Sequence, residues 1–465
     1  MKCIRIITVV VFACIIVLPV VFFNFTPNVA SSIDNRMLTE FPLTDGAAGS
    51  DLTAELESYV NDRIGFRDEM IIGYTVLNDR LFGKMVHPSY SYGKDGYVFG
   101  AGITTAKNAY SEFHEAFADM VLSIQNYCEA RGVPFLFVFN PAKPAVLTEY
   151  LPDGVRYDRS WVDRFFDALD ARGVRYVDNT QTLRTKTEEG EVVYNQKYDA
   201  NHWNDLGAYY GTNAILEELQ RDFPSVHVNG TADLNMDYEL KTSLLVSEFP
   251  IHEMVPAFTL KSAVDPAAGE LYKNELEMHP SYQTFGYYVN QEADMAGAPR
   301  LLSFQGSFMN VLGRKFMANG VREYIYVHDY QNILEFPYYY NIFQPDCVVF
   351  EVAEYTFNNE SFNYEKMLQL DMNPVLSSVT GEGRPRQDAK LDRNQISVES
   401  GAQLTKISWN TDADCEYAWL LLEREYDMRK TDAGYEVTVL TDDWNLHREK
   451  LQIAAADAAN VTVYQ

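Results

Sequence analysis

The chain opens on its longest apolar stretch. Ile6 to Phe23 carries no charge and is rich in Val, Ile and Phe, and Lys2 and Arg5 precede it. A bilayer is crossed by ~20 such residues. Basic residues before the run, with none directly after it, place the N-terminus in the cytoplasm and everything beyond Phe23 outside. A cleaved signal peptide has a core of only ~7–15 residues, and Asn28-Val29-Ala30 makes a poor cleavage site because Asn28 is not small. The expectation is a retained signal anchor, with residues 1–30 as cytoplasmic tip and span and residues 6–23 in the membrane.

Beyond the anchor the periodicity changes to that of amphipathic helices. From Ser50 to Gly83, Leu52, Leu56, Tyr59, Val60, Ile64, Ile71, Ile72, Leu77 and Leu81 recur at helical spacing. Tyr92 to Phe99 reads as a turn feeding a short strand. A second helix is expected from about Lys107 to Arg131, ended by Gly132 as C-cap. Val133 to Phe139 is then a continuous apolar run, the pattern of a strand buried on both faces. Alternation follows: helix 161–172 closed by Gly173, strand 174–177, and helix 206–219 with Asp205 as N-cap. After an irregular insertion at about 224–298 come strand 301–304, helix 308–318 and strands 322–327 and 346–352. Strands alternating with helices imply a mainly parallel, doubly wound α/β sheet. After about Arg384 the texture becomes alternating and β-like, as in Tyr435 to Leu440, so the expected domains are 31–384 and a small β-rich appendix at 385–465.

Composition narrows the class. Net charge is -28, which argues against nucleic acid or any other polyanion as partner. Cys3, Cys14, Cys128, Cys347 and Cys415 show neither metal-ligand spacing nor a disulfide framework, so no metal and no cofactor is expected. Cys347 reads as a small core residue.

Two short stretches carry candidate chemistry. Leu301 to Phe304 runs through Gln305-Gly306-Ser307 straight into a helical pattern at Phe308, Val311, Leu312 and Phe316. A serine on a sharp strand-to-helix turn has the geometry of a nucleophile elbow, although Gly-Ser is also ordinary turn and capping chemistry. A serine nucleophile needs a base, and the base an orienting group. Of eight histidines, His202 in Asp199-Ala-Asn-His-Trp-Asn204 has a carboxylate three residues away, just before a helix. The plainer reading makes His202 and Asn204 a helix cap and Trp203 core. His328, followed by Asp329, is the competing base, but successive side chains on a strand point to opposite faces.

Asp199-x-x-His202 is similar to the last block of the SGNH-hydrolase (GDSL-type) pattern. Here it precedes the serine, with Trp203 directly after the histidine, and that permuted order resembles the alginate O-acetyltransferase-like family of cell-surface SGNH proteins. The likeness spans most of 34–357: Asn35-Arg-Met-Leu38, Asn61 to Arg67, Gly93 to Phe99, Pro141-Ala-Lys143, Tyr150-Leu-Pro152 and Pro345 to Phe350. The chain departs from the pattern at Gly306, where relatives usually carry Asp or Thr, and at Glu354-Tyr355, where they end the strand Glu-Arg. The resemblance implies an SGNH-like three-layer fold, with Ser307 as nucleophile, His202 as base and Asp199 orienting it. Gly306, Trp203, Lys143 and Tyr355 are the candidates beside substrate or oxyanion. The activity implied is O-acetylation of an exported polysaccharide through an acetyl-serine, with a membrane-bound O-acyltransferase as acetyl donor. The alternatives are an esterase acting on the same glycan and a non-catalytic glycan-binding or assembly protein that stacks sugars on Tyr282, Phe285, Tyr287, Tyr288 and Tyr338-Tyr-Tyr340.

Overall fold

The computed structural model describes residues 2–31, 33, 36–42, 52–87, 89–102, 109–245, 247, 249–262, 264–266, 276 and 278–370, together with a set of strands between 387 and 464. Helix α1 (Lys2–Val21) takes in the apolar run as far as Val21. Its window Ile4–Val21 has mean hydropathy 2.9 and no buried share, and among the described residues it is the one helix long and apolar enough to cross a membrane. The helical pattern read over 50–83 is in fact two helices, α2 (Leu52–Arg63) and α3 (Arg67–Phe82). They part where Phe66 adopts φ 62°, at a corner that presses on the end of α1. A Cβ on Gly65 would fall 2.6 Å from that of Phe22, so the approach requires glycine.

Strands β1 (Tyr90–Tyr92) and β2 (Val98–Gly100) form a hairpin. Helix α4 (Glu112–Glu129) starts later than its apolar pattern suggests, because Ser111 N–H donates to His114 Nδ1 and sets the start there. Then come β3 (Phe135–Asn140), α5 (Ser160–Arg172), β4 (Tyr176–Asp178), α6 (Asn179–Glu188) and α7 (Asp205–Gln220). The N-cap of α7 is Asn204, not Asp205: its side chain accepts from Leu206 and Gly207 N–H. Asp205 instead accepts the amide of Phe258 and the Lys315 ammonium.

The stretch expected to be an irregular insertion is largely ordered. It holds a long hairpin of β5 (Leu234–Ser243) and β6 (Pro250–Leu260), then β7 (Val264–Pro266) and β8 (Phe285–Asn290). After these come β9 (Arg300–Gln305), a π-helical turn (Met309–Gly313), α8 (Arg314–Gly320), β10 (Glu323–His328) and β11 (Cys347–Ala353). One sheet of seven strands runs β4-β3-β11-β9-β10-β8-β7. The first five are parallel, and β8 and β7 add antiparallel at the edge. The fold is thus a mixed α/β domain on a mostly parallel sheet.

Period-two alternation splits each central strand between two cores. Phe137, Phe304, Val327 and Phe350 face α4 and α5, against Phe117, Val121, Phe165 and Leu169. Leu136, Leu301, Tyr324 and Val349 face α6, α7 and α8, against Leu183, Ile215, Leu216 and Phe316. Burial on both faces is why these strands read as unbroken apolar runs. Cys347 lies in this core, fully buried. Between 387 and 464 every described element is a strand paired antiparallel, and the boundary expected near 384 lies outside the described residues.

Candidate functional site

The carboxyl ends of the parallel strands converge on one edge, where ligands bind in open α/β sheets. Strand β9 delivers Ser307 there. Before it, Gln305 is buried and fully engaged: Ser303 Oγ and Tyr324 Oη donate to its oxygen, and its amide donates to Asn310. Gly306 N–H donates to Glu351 Oε2 at 2.8 Å. The turn is therefore fixed from both sides, and Ser307 is left partly exposed at the start of the helix, which opens with the π-turn. Such turns are frequent at functional sites.

The histidine arrives from the loop before α7. Asp199 sits at φ 57°, which folds its carboxylate back over the loop, where Oδ1 accepts the amides of Asn201 and His202 at 3.0 Å each. Oδ2 faces His202 Nδ1 at 2.8 Å, and His202 Nε2 faces Ser307 Oγ at 2.8 Å. Trp203 is buried, and its indole N–H donates to Phe308 O at 3.0 Å, tying the histidine loop to the serine turn. Lys143 is fully buried, its ammonium committed to the carbonyls of Val98, Gln196 and Asp199. Burial brings its pKa down to about 7. Sequence reasoning missed a further brace. Glu253, on β6, accepts the amides of Gln196, Lys197 and Tyr198 at 2.7, 2.9 and 2.6 Å. No local motif flags it, because its partners are backbone groups some fifty residues away.

The rest comes from the ends of β10 and β11. Tyr355 Oη stands 2.9 Å from both Ser307 Oγ and His202 Nε2. Burial raises its pKa far above the phenol range, so it is a neutral donor. Glu351 is fully buried and accepts from Asn140 as well as Gly306. Asp329 is also fully buried, and neither side-chain oxygen has an aligned partner. An isolated carboxylate there is costly. Burial, with the charge of Glu351 behind it, pushes Asp329 well above the carboxylate range, and burial takes Glu351 up to about 7. A Cβ on Gly306 would lie 3.6 Å from the Asp329 oxygens and 3.8 Å from Glu351, so these two acids occupy the space beneath the residue before the serine.

Burial alone would lower His202, but the charge and hydrogen bond of Asp199 outweigh it and hold the imidazole above its ordinary value. Burial would likewise raise Asp199, and the facing His202 with the two loop amides leaves it below its ordinary value. His328 is different. Its Nδ1 lies 3.2 Å from Asp329 Oδ1 but out of hydrogen-bond alignment, its ring stacks on Tyr282, and burial takes it down to about 4. Tyr338, Tyr339 and Tyr340 are buried core, unavailable for stacking on a ligand. A cleft of about 790 Å³ is lined by Glu112, Phe113, Asn358, Asn359, Tyr364 and Glu365 among others. Its wall begins two residues past Tyr355, and Asn358 Nδ2 donates to Tyr355 O at 3.4 Å.

The site is thus a serine on a strand–helix turn at the carboxyl edge of this sheet, faced by an Asp-x-x-His loop. Residues 91–244 match the family model described as SGNH hydrolase-like domain, acetyltransferase AlgX. The match includes Asp199 and His202 and stops short of Ser307. Among solved structures, Bacillus cereus PatB1 with a sulfonyl adduct is similar at 17% identity and TM-score 0.46, over 58% of this chain and 98% of that one. The O-acetyltransferase domain of Pseudomonas putida AlgJ is similar at 14% and 0.42, over 61% and 98%. Pseudomonas aeruginosa AlgX is similar at 13% and 0.40, over 80% and 92%. No curated protein sequence matches the chain.

Proposed function

We propose that this chain transfers acetyl groups to an exported polysaccharide, with Ser307 as nucleophile. The observation that carries the reading is the relay Asp199–His202–Ser307, closed at 2.8 Å on each side of the imidazole. In the first half-reaction His202 Nε2 takes the Ser307 proton as Oγ bonds to an acetyl carbonyl carbon. The charge that develops on the carbonyl oxygen is met by the Tyr355 phenol, and the protonated His202 returns its proton to the leaving oxygen. In the second half a sugar hydroxyl gives its proton to His202 and attacks the acetyl-serine, regenerating Oγ–H. Asp199 holds the tautomer that leaves Nε2 free and steadies the imidazolium.

The cleft beside Tyr355 is the proposed seat of the acceptor. Asparagine amides, carboxylates and the rings of Phe113 and Tyr364 are groups that bind sugar hydroxyls and stack on sugar faces. Helix α1 is the proposed anchor, with the domain outside the cell and a membrane-bound O-acyltransferase supplying the acetyl group. If water rather than sugar resolves the acetyl-serine, the same site is an esterase. Mass spectrometry of surface glycans with and without the chain separates the two: transfer predicts loss of O-acetyl groups without it, an esterase predicts gain.

The site itself is tested by turnover of a chromogenic acetyl ester. Ser307→Ala, His202→Ala and the double variant should lose activity to a similar extent, several orders of magnitude, because members of a triad fail together. Asp199→Asn should cost less and should lower the pH at which kcat/KM rises, since the carboxylate is what raises His202. His328→Ala should fall at most about tenfold, the scale of a group outside the proton relay. A dead His328→Ala beside an active His202→Ala would overturn the assignment, and unchanged glycan acetylation in Ser307→Ala would favour the non-catalytic binder.

A further inference from the structure

Helices α2 and α3 expose an apolar face that the catalytic reading leaves unused. At helical spacing Phe66, Met70, Tyr74, Leu77 and Leu81 fall within roughly 80° of one another and run for roughly 22 Å. Tyr74, Leu77 and Leu81 are 61%, 54% and 63% exposed, and Leu52, Leu56 and Val60, at the same spacing on α2, are exposed as well. The other side of α3 is already spent on the domain: Thr75 is fully buried and Val76 packs under Tyr90 and Phe249. A surface helix that packs one face inward has no folding reason to carry a second apolar stripe outward. Contiguous patches of this kind mark an interface.

The end of α1 says which interface. It is locked onto the α2–α3 corner. Gly65 N–H donates to Pro19 O at 2.9 Å and Asn24 N–H to Arg63 O at 2.8 Å. Arg63, 1% exposed, spends its guanidinium on the carbonyls of Asn24, Thr26 and Thr39 and on the Glu40 carboxylate. The rings of Phe22 and Phe66 meet at 5.1 Å, and those of Phe23 and Tyr59 at 5.6 Å. The stripe therefore starts at the level where α1 ends, among a belt of aromatic rings that includes the exposed Phe25 and Phe41. Aromatic belts, and helices that turn an apolar stripe away from their own domain, suit the boundary between headgroups and acyl chains.

We infer that α2 and α3 lie on the outer surface of the bilayer that α1 spans, with Leu52, Leu56, Val60, Met70, Tyr74, Leu77 and Leu81 turned into it. The domain then rides on the lipid at a fixed height and tilt. The inference rests on α1 being a membrane span. The test places a photoreactive side chain in the full-length chain in its native membrane: Tyr74→benzoylphenylalanine on the stripe, Asp68→benzoylphenylalanine on the opposite side, and Val11→benzoylphenylalanine in α1. Lipid adducts at 74 should exceed those at 68 by about tenfold or more, because an interfacial helix keeps its polar side out of the lipid. An equal yield at 74 and 68, or an adduct at 74 to another polypeptide, overturns the inference. Absence of lipid adducts at 11 reports separately that α1 is not a span.

Discussion

Around Ser307 three polar atoms share two protons. Oγ, the Tyr355 phenol and His202 Nε2 stand 2.8 to 2.9 Å from one another, and Nε2 can accept only one hydrogen bond. On the proposed mechanism the productive arrangement has serine donating to the imidazole and tyrosine donating to serine; the idle one has tyrosine donating to the imidazole. Tyr355→Phe distinguishes a working donor from a decoy. Loss of a donor to the developing oxyanion should lower kcat by about a hundredfold, whereas loss of a decoy would raise it. Glu351 makes a second prediction at this scale. Its pKa, raised by burial from 4.5 to about 7, means the folded chain binds the proton more tightly than the unfolded one. Its contribution to stability is thus full below about 4.5 and is lost as pH rises towards 7. In thermal melts of Glu351→Gln the fall in melting temperature over that window should be shallower than in the parent chain. An identical slope would show that Glu351 does not titrate there.

Among the elements, strong apolar runs were legible and polar bracing was not. Phe135 to Asn140, Arg300 to Gln305 and Cys347 to Ala353 announce themselves because burial on both faces makes most of their side chains apolar. The serine turn and the Asp-x-x-His loop were readable from sequence because each is local. Glu351 and Glu253 were not, since a lone acid in a strand looks the same whether it faces water or a backbone amide from a distant loop. The hairpin β5–β6 was hidden for a different reason: β5 is exposed along almost its whole length, so burial imposes little alternation on it. That hairpin holds the histidine loop through Glu253. Glu253→Gln, which leaves one acceptor oxygen for three amides, should lower kcat by roughly tenfold, the scale of a slightly misplaced catalytic group. Hydrogen exchange at the amides of 196–198 should quicken in parallel. Faster exchange with unchanged kcat would reduce the hairpin to scaffolding.

For the whole molecule, the notable fact is the order in which the sheet receives its strands. Strand β3 lies against β11, and the contact that links Asn140 to Glu351 spans 211 positions of sequence. Strand β9, which carries the serine, fits between β11 and β10, so no neighbour of β3 on that side exists until almost the whole domain has been made. A chain produced from its N-terminus at ~5–20 residues per second leaves the edge of β3 bare for the tens of seconds that the remaining two hundred or so residues take. Edges of this kind recruit the wrong partner, and pairings so distant in sequence close slowly. The nascent protein therefore passes through a long sticky adolescence, in which the histidine loop is in hand but Ser307 has no seat, and a chain cut off before β11 would be a hazard to its neighbours.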